Sequence, residues 1–179
     1  MIISFFKKDP ALDAAAALYA AAVEQGRSPA LYADFGVPDT VEGRFEMVSL
    51  HVYLVLRRLK TREPAAKKVA QKLFDQMFQN MDDSLRELGV GDLSVGRKIR
   101  KMAENFYGRV GAYEAALRDG ADGADLAKAL GRNVFDTVDA QTAGRLADYV
   151  RRAAADIQSQ PIARIAGGIV RFPEPVENR

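Results

Sequence analysis

The sequence contains no cysteine, no tryptophan and a single histidine in 179 residues. Without cysteine there is no disulfide framework and no thiolate metal site, a composition that fits a reducing compartment. With one histidine and no acid spaced to orient it, nucleophilic and proton-shuttle chemistry lacks its usual parts. Long apolar runs are missing too. The apolar start, Ile2, Ile3, Phe5 and Phe6, gives way at once to Lys7 and Lys8, too short for a membrane span or a signal-peptide core. The expected location is therefore the cytoplasm, with residues 1–8 forming an arm that packs on the domain or touches a membrane interface. Net charge is also small, a formal +2, which argues against a generic polyanion binder and against DNA as a partner.

What is present is helical. Each long segment repeats apolar residues three or four apart, which predicts an all-α domain of about six to eight helices over residues 9–170, followed by a loose Pro-containing tail at 171–179. Asp9-Pro10 and Ser28-Pro29 are helix starts, and Asp39-Thr40-Val41-Glu42 resembles a capping box. The helix behind that box is apolar on every side from Phe45 to Leu59, as a central buried helix must be. Pro64 opens a helix striped by Val69, Leu73, Met77, Met81 and Leu85 and widened by Phe74 and Phe78. Gly89 stops it, and Ser94 is the expected cap of the next, which presents Ile99, Met102, Phe106, Val110 and Tyr113.

No motif for catalysis survives inspection. Gly89-Val90-Gly91-Asp92-Leu93-Ser94 looks like a phosphate loop but follows a helix instead of a strand, so a helix stop and tight turn explain its glycines. Acidic pairs match neither a calcium loop nor a di-iron pattern, and no metal or cofactor is expected. His51, inside the most apolar helix, reads as a hydrogen-bonded core histidine in preference to a ligand.

Two groups of residues suit binding. The first is Phe106, Tyr107, Gly108, Arg109, Gly111 and Tyr113 with Met77 and Met81. Two glycines within one turn each cost a helix about 1 kcal/mol relative to alanine, so something must offset them. Close helix packing is the simpler reading, and a shallow groove for another chain is the functional one. The methionines are core residues on the simpler reading and an adaptable docking face on the other. The second group is basic: Arg57, Arg58, Lys60, Lys67, Lys68, Arg97, Lys98 and Lys101, suited to an anionic membrane surface or ribosomal RNA, although part of it merely complements a helix C-terminus.

Three blocks converge on a family. Phe45 to Lys60 with Leu50-His51-Val52, Met81-Asp82 to Asp92, and Phe106-Tyr107-Gly108-Arg109 through Tyr113-Glu114 resemble the ubiquinol-cytochrome c chaperone family, over about Leu31 to Leu130. The resemblance implies an all-helical, non-enzymatic factor that acts on newly made cytochrome b during assembly of respiratory complex III at the membrane surface. It supplies no catalytic residues. Mitochondrial members work with a small partner protein near the ribosomal exit, whereas this sequence, with no targeting extension, looks like a bacterial member. The rival expectations are an RNA- or ribosome-binding helical module acting through the basic face, and an enzyme with a deep pocket of perturbed ionisable groups.

Overall fold

Two of the three start signals cap their helices through a side chain in the computed structural model, which describes residues 9–118, 123–135 and 140–176, while Ser28 precedes its helix without such a bond. The Asp9 side chain accepts from the Ala11 amide at 3.2 Å, and Pro10 opens α1 (Pro10–Gly26). Thr40 accepts from Gly43 N at 3.0 Å at the head of α3 (Val41–Leu59). Only half of a capping box forms, because its third helical position is a glycine with no side chain to return the bond. The remaining elements are α2 (Pro29–Ala33), α4 (Pro64–Glu87), α5 (Asp92–Ala116), α6 (Gly123–Leu130), a π-helical turn (Gly131–Phe135), α7 (Ala140–Ser159) and α8 (Ile162–Ala166). No strand occurs among the described residues, so the architecture is all-α. The expected Ser94 cap is displaced: the capping position is Gly91, three residues earlier, and α5 starts at Asp92.

Twelve of the nineteen residues of α3 are buried, which puts this helix at the centre. α1 and α4 pack on it and on each other, α7 and α8 close other sides, and α6 pairs with α7. Gly26 shows why α1 can lie so close to α3: a Cβ there would stand 2.9 Å from Val48 N. α5 runs back along α4 as the second arm of a helical hairpin and packs principally against α4 and α6. It reaches α3 through long side chains, not through backbone approach. One such bridge is the ion pair of Arg109 Nη2 with Glu46 Oε1 at 2.7 Å, in which Glu46 is buried. Another is the ring contact of Tyr53 with Tyr113 at 5.7 Å.

Two expectations change. Residues 171–176 are not loose, because other parts of the chain satisfy their backbone. Gln160 accepts from Arg171 N and donates to Arg171 O, Gln25 Nε2 donates to Pro173 O at 3.0 Å, and Arg152 Nη2 donates to Val176 O at 2.6 Å. The segment is a docked strap, with Phe172 edge-on to His51 at 5.2 Å. Close packing does not explain Gly108 and Gly111 either: both are exposed, and a Cβ on either would meet nothing within 4 Å. The arm at 1–8 lies outside the described residues.

Candidate functional site

Because α5 leans on α4 and stands off from α3, the three helices leave a groove of about 430 Å³. Each wall is one helical face. α4 contributes Lys67, Ala70, Gln71 and Phe74, spaced three and four apart; α5 contributes Phe106, Tyr107, Val110 and Glu114; and the end of α3 contributes Tyr53, Leu56, Arg57 and Lys60. Phe74 lies 5.6 Å from the Tyr107 ring and 6.1 Å from that of Phe106, and Phe78 extends the cluster at 4.6 Å from Phe74. Tyr107, 60% exposed, is the outer lip. The result is an apolar, aromatic trough with a basic rim of Arg57, Lys60 and Lys67.

Its polar groups are few. Arg57 Nε stands 3.7 Å from Glu114 Oε1, and Arg57 Nη2 donates to Leu117 O at 3.3 Å, so this cation ties the end of α3 to the end of α5. Beneath them the Tyr53 hydroxyl is buried and completes no hydrogen bond of good geometry. Burial first, then the neighbouring Glu114 charge, pushes its pKa well above the usual tyrosine value. Tyr53 lines the trough with its ring, while the hydroxyl stays buried near Glu114.

The structure redistributes the residues singled out from the sequence. Of the first group, Met77, Met81, Phe106 and Tyr113 are buried. Met77 and Met81 belong to the core, Phe106 lines the groove as a buried residue, and the Tyr113 hydroxyl accepts from Asn133 Nδ2 at 3.3 Å. Arg109 is engaged by Glu46. Tyr107 is the exposed side chain of the group, with Gly108 and Gly111 bare beside it. Of the basic group, Arg58 is a strut, donating through Nε and Nη2 to Gln160 O at 3.3 and 2.9 Å. Lys68 pairs with Asp9 at 2.8 Å, which holds the Asp9 carboxyl below its ordinary value. Lys60 and Lys67 join the groove rim, while Arg97, Lys98 and Lys101 sit exposed on the first turns of α5. Thus Tyr107 and Phe106 from one group meet Arg57, Lys60 and Lys67 from the other in a single place. Sequence reading missed Tyr53 and the Glu46–Arg109 pair. A usable signal for the pair existed: Glu46 is an acid between Phe45 and Met47 in a helix otherwise reading as buried, and a buried acid needs a cationic partner.

His51 lies outside the groove and is fully buried. Its Nδ1 is 2.7 Å from Met47 O, and a carbonyl only accepts, so Nδ1 carries the proton. Nε2 therefore accepts from the Tyr149 hydroxyl at 2.7 Å, and that oxygen accepts in turn from Gln25 Nε2 at 2.9 Å. The chain Gln25, Tyr149, His51, Met47 is internally satisfied and joins α1, α7 and α3. Desolvation pulls the His51 pKa down to about 4, with the Met47 bond opposing, so the ring is neutral at pH 7. Among the described residues no cluster of three or more His, Asp or Glu could hold a metal, and no helix is long and apolar enough to cross a membrane.

Comparison with known proteins agrees with this architecture. The family model described as ubiquinol-cytochrome C chaperone matches residues 33–172. The crystal structure of the Cbp3 homolog from Brucella abortus superposes with a TM-score of 0.85 at 39% identity, covering 93% of this chain and 92% of that one. The ubiquinol-cytochrome-c reductase complex assembly factor 1 of Xenopus laevis is 26% identical over 141 residues, 78% of this chain and 70% of the frog protein. The Homo sapiens protein of the same name is also 26% identical over 141 residues, but the match spans only 46% of its length.

Proposed function

This chain belongs to the ubiquinol-cytochrome c chaperone family, a family of complex III assembly factors, and from that premise we propose that it binds newly made cytochrome b by seating an apolar segment in the α3–α4–α5 groove. The observation that carries the reading is the trough itself: Phe74, Tyr107, Val110 and Leu56 line it, with Lys60 and Lys67 among its lining cations. A cytochrome b subunit presents apolar helices before haem and its neighbours arrive, and an amphipathic groove shields such a segment. The rim lysines, Lys60 and Lys67, favour an acidic flank or a helix C-terminus of the guest. The reading is of a binder without catalysis, since the groove is walled by aromatic and aliphatic groups and its Arg57 and Glu114 face each other. Its work is at the surface of the membrane, as a peripheral factor. The RNA-binding alternative loses Arg57, Arg58 and Lys68 to internal contacts.

Affinity capture from native membranes in mild detergent tests the proposal. Cytochrome b co-purifies with the wild-type protein, and Tyr107→Asp removes it without lowering the melting temperature, because Tyr107 is mostly exposed. Undiminished cytochrome b on the variant rules out the groove. Normal haem-loaded cytochrome b in a strain lacking the protein rules out the assembly role itself.

A further inference from the structure

The turn between α4 and α5 ends the helical hairpin in two exposed leucines. Leu88 is 69% exposed and Leu93 99% exposed, the latter on the first turn of α5. Gly89, at φ +81°, makes the turn tight, and a Cβ at Gly91 or Gly96 would meet nothing within 4 Å, so the tip is convex and stands clear of the body. Behind Leu93, the helical spacing puts Arg97, Arg100 and Lys101 on the same stripe, four, seven and eight residues on, with Lys98 beside them; all four are exposed. At 1.5 Å per residue these cations follow the leucine by about 6 to 12 Å.

We infer that this tip is a membrane contact, in which Leu88 and Leu93 enter the interface of an anionic bilayer while Arg97, Lys98 and Lys101 meet its headgroups. The spacing matches the depth of about 5–10 Å to which apolar groups of interfacial segments sink below the headgroups. The acids at this end are partly answered: Arg86 bridges Asp82 and Asp92, and Asp83 accepts from Gln79. Glu87 and Asp83 belong to α4, the other arm of the hairpin. A lipid surface fits better than a protein partner because the patch is convex, small and aliphatic, whereas protein-docking centres are rich in aromatic anchors seated in pockets.

Sedimentation of the full chain with vesicles of three parts phosphatidylglycerol to seven parts phosphatidylcholine tests the contact. Binding is expected at low salt, to weaken as salt rises, and to be absent on pure phosphatidylcholine. Leu88→Ser with Leu93→Ser weakens it at least about tenfold, and each of Arg97→Ser, Lys98→Ser and Lys101→Ser weakens it about fivefold. The chain has no tryptophan, so the emission of a Leu93→Trp variant reports position 93 alone and shifts to the blue on vesicles. Three results overturn the inference: no binding to the anionic vesicles, equal binding by the double serine variant, or unmoved emission on vesicles that the protein occupies. A double serine variant that keeps vesicle binding but loses cytochrome b in detergent identifies a protein surface instead and equally overturns it. The vesicles contain no client, so failure here leaves the groove reading standing, and loss of the groove reading leaves this one standing.

Discussion

His51 makes stability depend on pH between its ordinary pKa and its lowered one. It is the only histidine, it is fully buried, and its pKa falls from an ordinary 6.5 to about 4. Above pH 6.5 the ring is neutral in both folded and unfolded chains, so its contribution to stability is fully present. As pH falls through 6.5 the unfolded chain takes up a proton that the folded chain refuses until about pH 4, and stability drops over that interval. At about 1.4 kcal/mol per pH unit the whole loss is about 3 kcal/mol, of which about 2 kcal/mol falls between pH 7 and pH 5. Asp9 and Asp39 are held below the ordinary carboxylate value by hydrogen bonds from Lys68 and Arg44. Urea unfolding of the wild type and His51→Gln at pH 7 and pH 5 measures the effect. The variant is less stable at both pH values, since it loses part of the Tyr149–His51–Met47 chain, but its stability changes little between them. Parallel losses in the two proteins would refute the assignment of a neutral, desolvated ring.

Gly26 and Gly108 should respond oppositely to an added methyl group. Gly26→Ala forces a Cβ against the α3 backbone and costs about 1 to 3 kcal/mol; Gly108→Ala, in open space on an exposed helix face, gains about 1 kcal/mol and raises the melting temperature by about 2–4 °C. Calorimetry on both checks the sign. Arg109→Leu takes the guanidinium away from the buried Glu46 carboxylate and lowers stability by up to about 3 kcal/mol. The double variant with Glu46→Leu recovers most of that loss, and failure to recover it in a denaturant-melt cycle would mean that the pair does not bridge α3 and α5 as seen.

Much of the fold was legible because helix signals are local. Asp9-Pro10, Thr40 and Gly89 stop or start helices with groups a few residues away, and the apolarity of Phe45 to Leu59 leaves α3 no place except the centre. The binding site was legible only in pieces. Tyr107 and the cations near residue 60 drew attention separately, since an aromatic on one helix and a lysine about forty residues earlier carry no mark of being neighbours. Buried and exposed members of a stripe look alike as well: Phe106 and Tyr107 are adjacent in sequence, yet the first is 3% exposed and the second 60%.

By itself the sequence determined the helical class and the core place of His51, which follow from residue type and from spacing within one element, and its three blocks carried the resemblance to the family. Tertiary structure decided which side chains are free to bind. It turned Arg57 and Arg58 into struts, docked 171–176 through backbone bonds to Gln25, Arg152 and Gln160, emptied the space around Gly108 and opened a trough where α5 stands off from α3. Those outcomes depend on distances between helices far apart in the chain, set by how whole faces pack.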